Sequence, residues 1–185
     1  QPKWIGGIVN SLRYKQFGLS FQFDAQQGME KYNQLGNFMA AFGIAKYTED
    51  RDTPQTYNGV LADGTPNTQV VYSGQGVKPD GRDYGASYYR NVFRGVSENF
   101  VEDASWVRLR NVTLSYSLPA NLLGKTFVKN ATISITGNNL ILWTEFSGYD
   151  PESSSFSAGS TASSGFAGFT YPAMRSVLFS INANF

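Results

Sequence analysis

Two residue types that supply much of the usual chemistry of active sites are missing from this chain. Its 185 residues include no Cys and no His, which excludes disulfides, thiolate metal sites, thiol nucleophiles and the commonest general base. The remaining residues offer no convergent set of acid, base and nucleophile. We therefore predict no catalytic residues, no metal site and no cofactor, and we do not expect an enzyme.

Charge of one sign and long apolar runs are also lacking. The 15 basic and 14 acidic residues are scattered and give a net charge of +1, so no basic surface for nucleic acid is expected. No apolar run approaches the roughly 18 residues of a transmembrane helix, although strands of a transmembrane barrel need only about 9–11. The chain begins at Gln1 without Met or a signal peptide, and we expect that a segment was removed or lies upstream.

What the chain does have is aromatic residues, glycine and a two-residue hydrophobic period. Aromatic residues make up 15% of it and there are 19 Gly, a mixture that favours β-structure. The alternation of apolar and polar residues predicts an all-β chain with five antiparallel strands. These lie near residues 5–15, 17–27, 105–118, 128–143 and 174–185.

The connections between the predicted strands alternate in length. Lys15-Gln16 and residues 119–127 are short, whereas residues 28–104 and 144–173 are long. Short periplasmic turns and long external loops are features of outer-membrane barrels, as is a final aromatic residue such as Phe185. We therefore predict transmembrane strands with extracellular loops at 28–104 and 144–173. Five strands cannot close a barrel, so other strands must complete it.

Two segments of these loops have patterns of their own. Apolar residues recur at helical spacing near residues 29–44, which predicts a short amphipathic helix packed on the rest of its loop. Residues 153–168 are rich in Ser, Gly and Ala, which predicts a flexible loop tip.

Several motifs occur in the order and spacing of one known family. Residues 103–119 read DASWVRLRNVTLSYSLP, and they are followed by Gly137-Asn-Asn-Leu140, Gly148-Tyr-Asp-Pro-Glu152, Tyr171-Pro172 and Phe185. Upstream lie Trp4-Ile-Gly-Gly7, Phe17-Gly-Leu-Ser-Phe21 and Asp63-Gly64-Thr-Pro-Asn67. Over nearly all of its length, the sequence resembles the C-terminal part of SusC/RagA-type TonB-dependent transporters.

The resemblance implies a plugged barrel of about 22 strands in the outer membrane of a Gram-negative, Bacteroidota-like bacterium. Such transporters import oligosaccharides or peptides together with a SusD-like surface lipoprotein. TonB supplies energy through a plug segment that this sequence lacks. The implied partners are the rest of the barrel and plug, the lipoprotein, TonB, outer-membrane lipid and the substrate.

Aromatic side chains near the external strand ends and in the long loop carry two further predictions. The tryptophans near the strand ends are placed at the membrane interface; they are Trp4, Trp106 and Trp143. Four tyrosines of the long loop are candidates for contact with substrate or partner, with packing inside the loop as the alternative; they are Tyr72, Tyr84, Tyr88 and Tyr89.

Charged residues in and after the third predicted strand also allow two interpretations. Arg108 and Arg110 share the parity of Val112, which would put them on the lipid side unless they lie above the membrane or a bulge shifts the register. We expect that they lie above the membrane. Asp150 and Glu152 are spaced like a carboxylate pair, but the neighbouring Gly and Pro favour a structural turn over a calcium site.

The alternative fold is a secreted β-sandwich that binds carbohydrate through its Tyr-rich loop. In that fold a second sheet, rather than lipid, covers the apolar face of the strands. The alternation of apolar and polar residues is the same in a barrel and in a sandwich, so it does not distinguish the two folds.

Overall fold

The computed structural model describes residues 1–74, 76–81, 88–124, 127–153 and 165–185. Its main feature is a five-stranded sheet in which every pair of neighbours is antiparallel. In spatial order its strands are β1 (Trp4–Tyr14), β2 (Phe17–Gln27), β5 (Trp106–Ser117), β6 (Asn130–Thr144) and β8 (Ser176–Asn184). The antiparallel β class predicted from the alternation is confirmed.

The short connections of this sheet lie at one end. Lys15 and Gln16 join β1 to β2 in a two-residue turn, with Tyr14 and Phe17 paired across it. Lys15 has a φ of +53°, a left-handed conformation that suits a tight hairpin. The connection from β5 to β6 contains a single helical turn, α3, at Ala120–Leu123.

The two faces of the sheet differ sharply in chemistry. Directly paired residues lie on the same face, and one face, here called the apolar face, collects the aliphatic and aromatic residues. It includes Phe17, Leu19, Phe21, Phe23, Val112, Leu114, Tyr116, Ile133, Ile135, Val177, Phe179 and Ile181. Within the described residues no second layer covers this face, where Phe179 is 79% exposed.

The opposite side, here called the polar face, is tied together by side-chain hydrogen bonds. The amide of Asn111 donates to Gln22 over 3.1 Å, and the hydroxyls of Thr113 and Thr136 are 2.8 Å apart. Such cross-strand pairs each stabilise a sheet modestly, by about 0.2–1 kcal/mol. No helix in the described part of the chain is long and apolar enough to cross a membrane.

A β-bulge at Arg110 divides β5 into two parts. Arg110 has no partner in register on β2, where Asn111 pairs with Gln22 and Leu109 with Phe23. The pairing with β6 also shifts here, and Asn139 of the bulged region has a φ of +51°. A bulge was one of the two interpretations open for these arginines, and it reverses the parity and places Arg108 opposite Asp24 on the polar face. Their position above the membrane stays a prediction.

Beyond the end of the sheet opposite the short turns, the long connections fold into a body of their own, here called the loop body. A three-stranded sheet in the order β4-β3-β7 forms its centre, with β3 at Glu30–Asn33, β4 at Val101–Asp103 and β7 at Phe166–Ala167. Helix α1 spans Gln34–Ala41, within the segment predicted to be helical, and α2 spans Tyr88–Asn91. Short 3-10 helices lie at Lys46–Thr48, Phe93–Gly95 and Ser97–Phe100.

The loop body buries apolar residues around its small sheet and helices. Ala104, Phe146 and Ala167 form one buried cluster, and its other buried apolar residues are Met29, Ala40, Ala41, Ala45, Tyr89 and Phe100. Helix α1 begins at a side-chain cap, since Asn33 Oδ1 accepts a hydrogen bond from the Gly36 amide at 2.9 Å, and such caps typically stabilise a helix by about 1 kcal/mol. The Ser- and Gly-rich stretch predicted to be a flexible tip lies mostly outside the described residues.

Candidate functional site

Ion pairs on the polar face connect the sheet to the loop body. Arg108 is only 2% exposed, and its Nη2 lies 2.6 Å from Asp150 Oδ1 while its Nε lies 2.8 Å from Glu152 Oε2. Arg110 contacts both oxygens of Glu152, at 2.7 and 3.0 Å, and its Nε donates to Asp24 at 2.9 Å. We call these five residues the arginine network. Two guanidinium groups held by three carboxylates make a rigid, directional junction.

The turn after β6 presents the two carboxylates to this network. Asp150 is 3% exposed, and its Oδ1 accepts the amide of Glu152 at 2.9 Å while its Oδ2 accepts the amide of Ala173 at 3.1 Å. Burial works to raise the pKa of Asp150, but the hydrogen bonds from Arg108 and these amides hold it below its ordinary value. The carboxylate is therefore ionised at neutral pH. Among the described residues there is no cluster of three potential acidic metal ligands, and the turn interpretation accounts for these contacts.

Lys31 of the small sheet fastens the first long loop to the same turn. Lys31 is buried, and its ammonium donates to the carbonyls of Pro151 and Ser153. Burial lowers the pKa of Lys31, while the charges of Asp150 and Glu152 oppose that shift. Segments that are 120 residues apart in sequence thereby form one unit.

Glu102 of β4 provides a second junction between the loops. Its carboxylate accepts hydrogen bonds from the Asn33 amide at 3.0 Å and from both the amide and the hydroxyl of Ser147 at 2.8 Å. Sequence reasoning missed Lys31, Glu102, Asn33 and Ser147, because each is an isolated polar residue whose partner is far away along the chain. No local pattern marks such pairs.

The three predicted interface tryptophans do not share one environment. Trp4 and Trp143 lie on the apolar face and are exposed, with Trp143 48% exposed and stacked on Phe23 at 6.2 Å between ring centroids. Trp106 pairs with Gln26 on the polar face and is 5% exposed. The guanidinium carbons of Arg108 and Arg110 lie 5.8 and 5.7 Å from its ring centroid. This position favours a role for Trp106 beneath the arginine network rather than at a lipid interface.

The tyrosines of the long loop are brought together in part. Tyr88 stacks on Tyr57 with ring centroids 4.7 Å apart, and burial raises the pKa of Tyr88 well above its usual range. Tyr89 is buried, and its hydroxyl donates to the Tyr47 carbonyl at 3.0 Å. These contacts favour packing within the loop for Tyr88 and Tyr89. Tyr72 is half-buried, and Tyr84 is outside the described residues.

Phe185, predicted as the barrel signature, lies at the end with the short turns. Its ring is exposed and stacks on Phe127, with centroids 5.4 Å apart and an interplanar angle of 23°. The ammonium of Lys129 donates to the Phe185 carbonyl at 3.1 Å.

Known structures share this arrangement of sheet and loop body. The RagAB peptide transporter aligns with a TM-score of 0.63 at 19% identity over 98% of this chain and 17% of that chain. The RagAB peptide importer in its open-open state aligns with a TM-score of 0.61 at 21% identity over 100% of this chain and 17% of that one. The fold is therefore that of a segment of a much larger transporter structure. No family model matches the chain.

Proteins with similar sequences include several TonB-dependent receptors. TonB-dependent receptor P26 of Formosa agariphila is 32% identical over 190 residues, which cover 100% of this chain and 17% of the receptor. TonB-dependent receptor P3 of the same organism is 28% identical over 191 residues, covering 100% of this chain and 16% of the receptor. Over its whole length the chain is similar to a part of these TonB-dependent receptors, about a sixth of their length, which confirms the resemblance found in its motifs.

Proposed function

We propose that this chain is part of the wall and outer vestibule of a SusC-like TonB-dependent importer in the outer membrane of a Bacteroidota-like bacterium. The observation that carries the proposal is the sheet itself, a single layer with an uncovered apolar face and a hydrogen-bonded polar face. A strand that separates lipid from a polar lumen requires that division of its side chains. A catalytic role is not part of this proposal.

The apolar face would contact lipid and the polar face would line the lumen. On this assignment Trp4 and Trp143 lie beside the loop body at the external membrane interface, where amphipathic rings are enriched. The unpaired edges of β1 and β8 would join further strands of a barrel of about 22 strands. This chain would be its C-terminal part, and the rest of the barrel and plug would be supplied by residues outside it.

The loop body would form part of the external vestibule, with the arginine network fixing its position over the lumen. Residues 28–104 and 144–173 are the extracellular loops in this proposal. A SusD-like lipoprotein would close over them, and TonB would act through the plug. The substrate would be an oligosaccharide or a peptide. The polar lining is consistent with both, and the structurally similar RagAB complex is a peptide importer.

Membrane fractionation of the native bacterium tests the proposal. Mild detergent extraction followed by size-exclusion chromatography and mass spectrometry should place this sequence in a large polypeptide that elutes with a SusD-like lipoprotein. Deletion of the gene should abolish growth on one oligosaccharide or peptide source and leave growth on monosaccharides intact. A soluble, monodisperse chain of 20.4 kDa would contradict the proposal.

The same fractionation distinguishes the importer from the alternative fold, a secreted β-sandwich. That fold requires a second sheet over the apolar face, and the described residues contain only the short strands of the loop body besides the large sheet. No observation on the described residues favours it.

A further inference from the structure

A shallow cleft of about 430 Å³ lies on the loop body, on the side away from the arginine network. Successive residues of a strand point to opposite faces, so the neighbours Lys31 and Asn33 of β3 reach the turn after β6 while Tyr32 between them faces the cleft. The cleft is lined mainly by Tyr32, Gln34, Asn37, Phe38, Arg94 and Phe166. None of these residues belongs to the network that holds the loops together.

Aromatic rings form one wall of the cleft. Tyr32 and Phe166 stack with centroids 5.3 Å apart and an interplanar angle of 23°. Phe38 meets Phe169 edge to face at 5.2 Å. All three lining rings are only half-buried, so they present a flat apolar surface suited to a ring or a hydrocarbon part of a ligand.

Arg94 is the charged residue of this lining, and its backbone is fixed. The buried side chain of Asn37 donates to the Arg94 carbonyl at 3.0 Å, which ties the residue to α1. The guanidinium carbon lies 5.3 Å from the centroid of Phe38, so the side chain is oriented by its contact with the ring. No ion pair between described residues includes Arg94. The cations described above, by contrast, contact carbonyls or carboxylates; they are Lys31, Arg108 and Arg110.

We propose that this cleft binds a carboxylate-bearing part of the imported substrate, with Arg94 pairing with the carboxylate and the rings contacting the flat part beside it. An exposed, oriented guanidinium presents two parallel donors that match a carboxylate. Gln34 adds an amide that can bind a neighbouring hydroxyl or peptide group. Two kinds of ligand share this chemistry, namely a uronic acid of an oligosaccharide and the C-terminus of a peptide. The inference rests on the proposed importer function.

Binding to the complete receptor, purified in detergent, tests the cleft with matched probes. Calorimetry would compare tri-galacturonate with its methyl ester, and a free tripeptide with its C-terminal amide. We expect one acidic probe to bind more tightly than its neutral partner. Arg94→Gln should lower the affinity for that acidic probe about three- to tenfold, the range of a partly exposed charge pair. The variant should leave the neutral probe and the thermal unfolding unchanged. The acidic probe that binds identifies the source of the carboxylate.

Lys46→Gln is the matched control, because Lys46 is an exposed cation of the same loop that does not line the cleft. The inference would be overturned if Lys46→Gln weakened binding of the acidic probe as much as Arg94→Gln does. It would also be overturned if acidic and neutral probes bound equally, or if neither acidic probe bound. A measurement of substrate uptake by cells distinguishes a wrong cleft assignment from a wrong importer function. If uptake requires the receptor gene but not Arg94, only the cleft assignment is wrong.

Discussion

The sheet and the loop body of this molecule are stabilised in opposite ways. In the sheet, a regular ladder of backbone hydrogen bonds carries apolar residues on one face and small polar residues on the other. In the loop body the buried groups include, beside apolar residues, the charges of Lys31 and Asp150, and Asp150 pairs with Arg108 of the sheet. The sheet therefore depends on a repeated pattern, whereas the loop body depends on individual polar contacts.

This difference determines how each region responds to change. A repeated pattern tolerates the loss of one member, because the neighbouring pairs remain. A buried charge that loses its partner retains the full cost of desolvation. Substitutions in the arginine network should consequently have larger local effects than substitutions of similar size in the sheet, and the following predictions test that contrast in order of decreasing effect.

Loss of Arg108 should have the largest effect on the loop body. Arg108→Ala leaves the buried Asp150 carboxylate without its guanidinium, and breaking a buried pair from one side typically costs about 3–5 kcal/mol. Hydrogen exchange of the complete receptor should show faster exchange in residues 145–153, while the amides of β5 and β6 below the bulge keep their protection.

Arg13→Ala is the matched control, since Arg13 is an exposed arginine on β1 of the same sheet. It should leave exchange in residues 145–153 unchanged. Unaltered exchange in Arg108→Ala would mean that the network does not hold the loop body in place.

A charge on the apolar face should have the next largest effect, on the sheet. Leu19→Arg places a cation where we propose lipid, and the cost of an arginine near the middle of a membrane barrel is about 2–4 kcal/mol. Ser20→Arg, one residue further on the polar face, is the paired control. Denaturant unfolding in lipid vesicles should show a loss for Leu19→Arg that clearly exceeds the loss for Ser20→Arg, and equal losses would contradict the assignment of faces.

Much of the sheet was accessible from sequence, and little of the loop body was. The period of two in β2 and β8 needs only neighbouring residues to be recognised, and several motifs in a fixed order together carried the resemblance to the family. The bulge at Arg110 was only one of two interpretations, because a one-residue shift can be located only once β5 is paired with its neighbours. The contacts of Lys31 and Glu102 were missed because they join distant segments without any repeated pattern.

A side chain added at Gly148 should destabilise only the loop body, and by less than the two substitutions above. A Cβ at this position would lie 2.3 Å from the ring of the buried Phe146, and overpacking of this kind typically costs about 1–3 kcal/mol. Gly148→Ala should therefore speed proteolysis within residues 145–153. Gly59→Ala, where a Cβ would meet nothing within 4 Å, should leave the cleavage rate unchanged, and equal rates for both variants would show that Phe146 has room to move.

Acid should produce the smallest effect, and again in the loop body alone. The pKa of Asp150 is lower in the folded chain than in the unfolded one, so its carboxylate contributes stability that is fully present above the unfolded value of about 3.9. That contribution is lost as the pH falls through the lower, folded pKa. Protection of residues 145–153 should stay constant from pH 8 to pH 5 and decline only below about pH 4, less than in Arg108→Ala because the Arg108 side chain itself remains in place. In Asp150→Asn the decline should disappear, and a decline that persists would assign the acid sensitivity to another carboxylate.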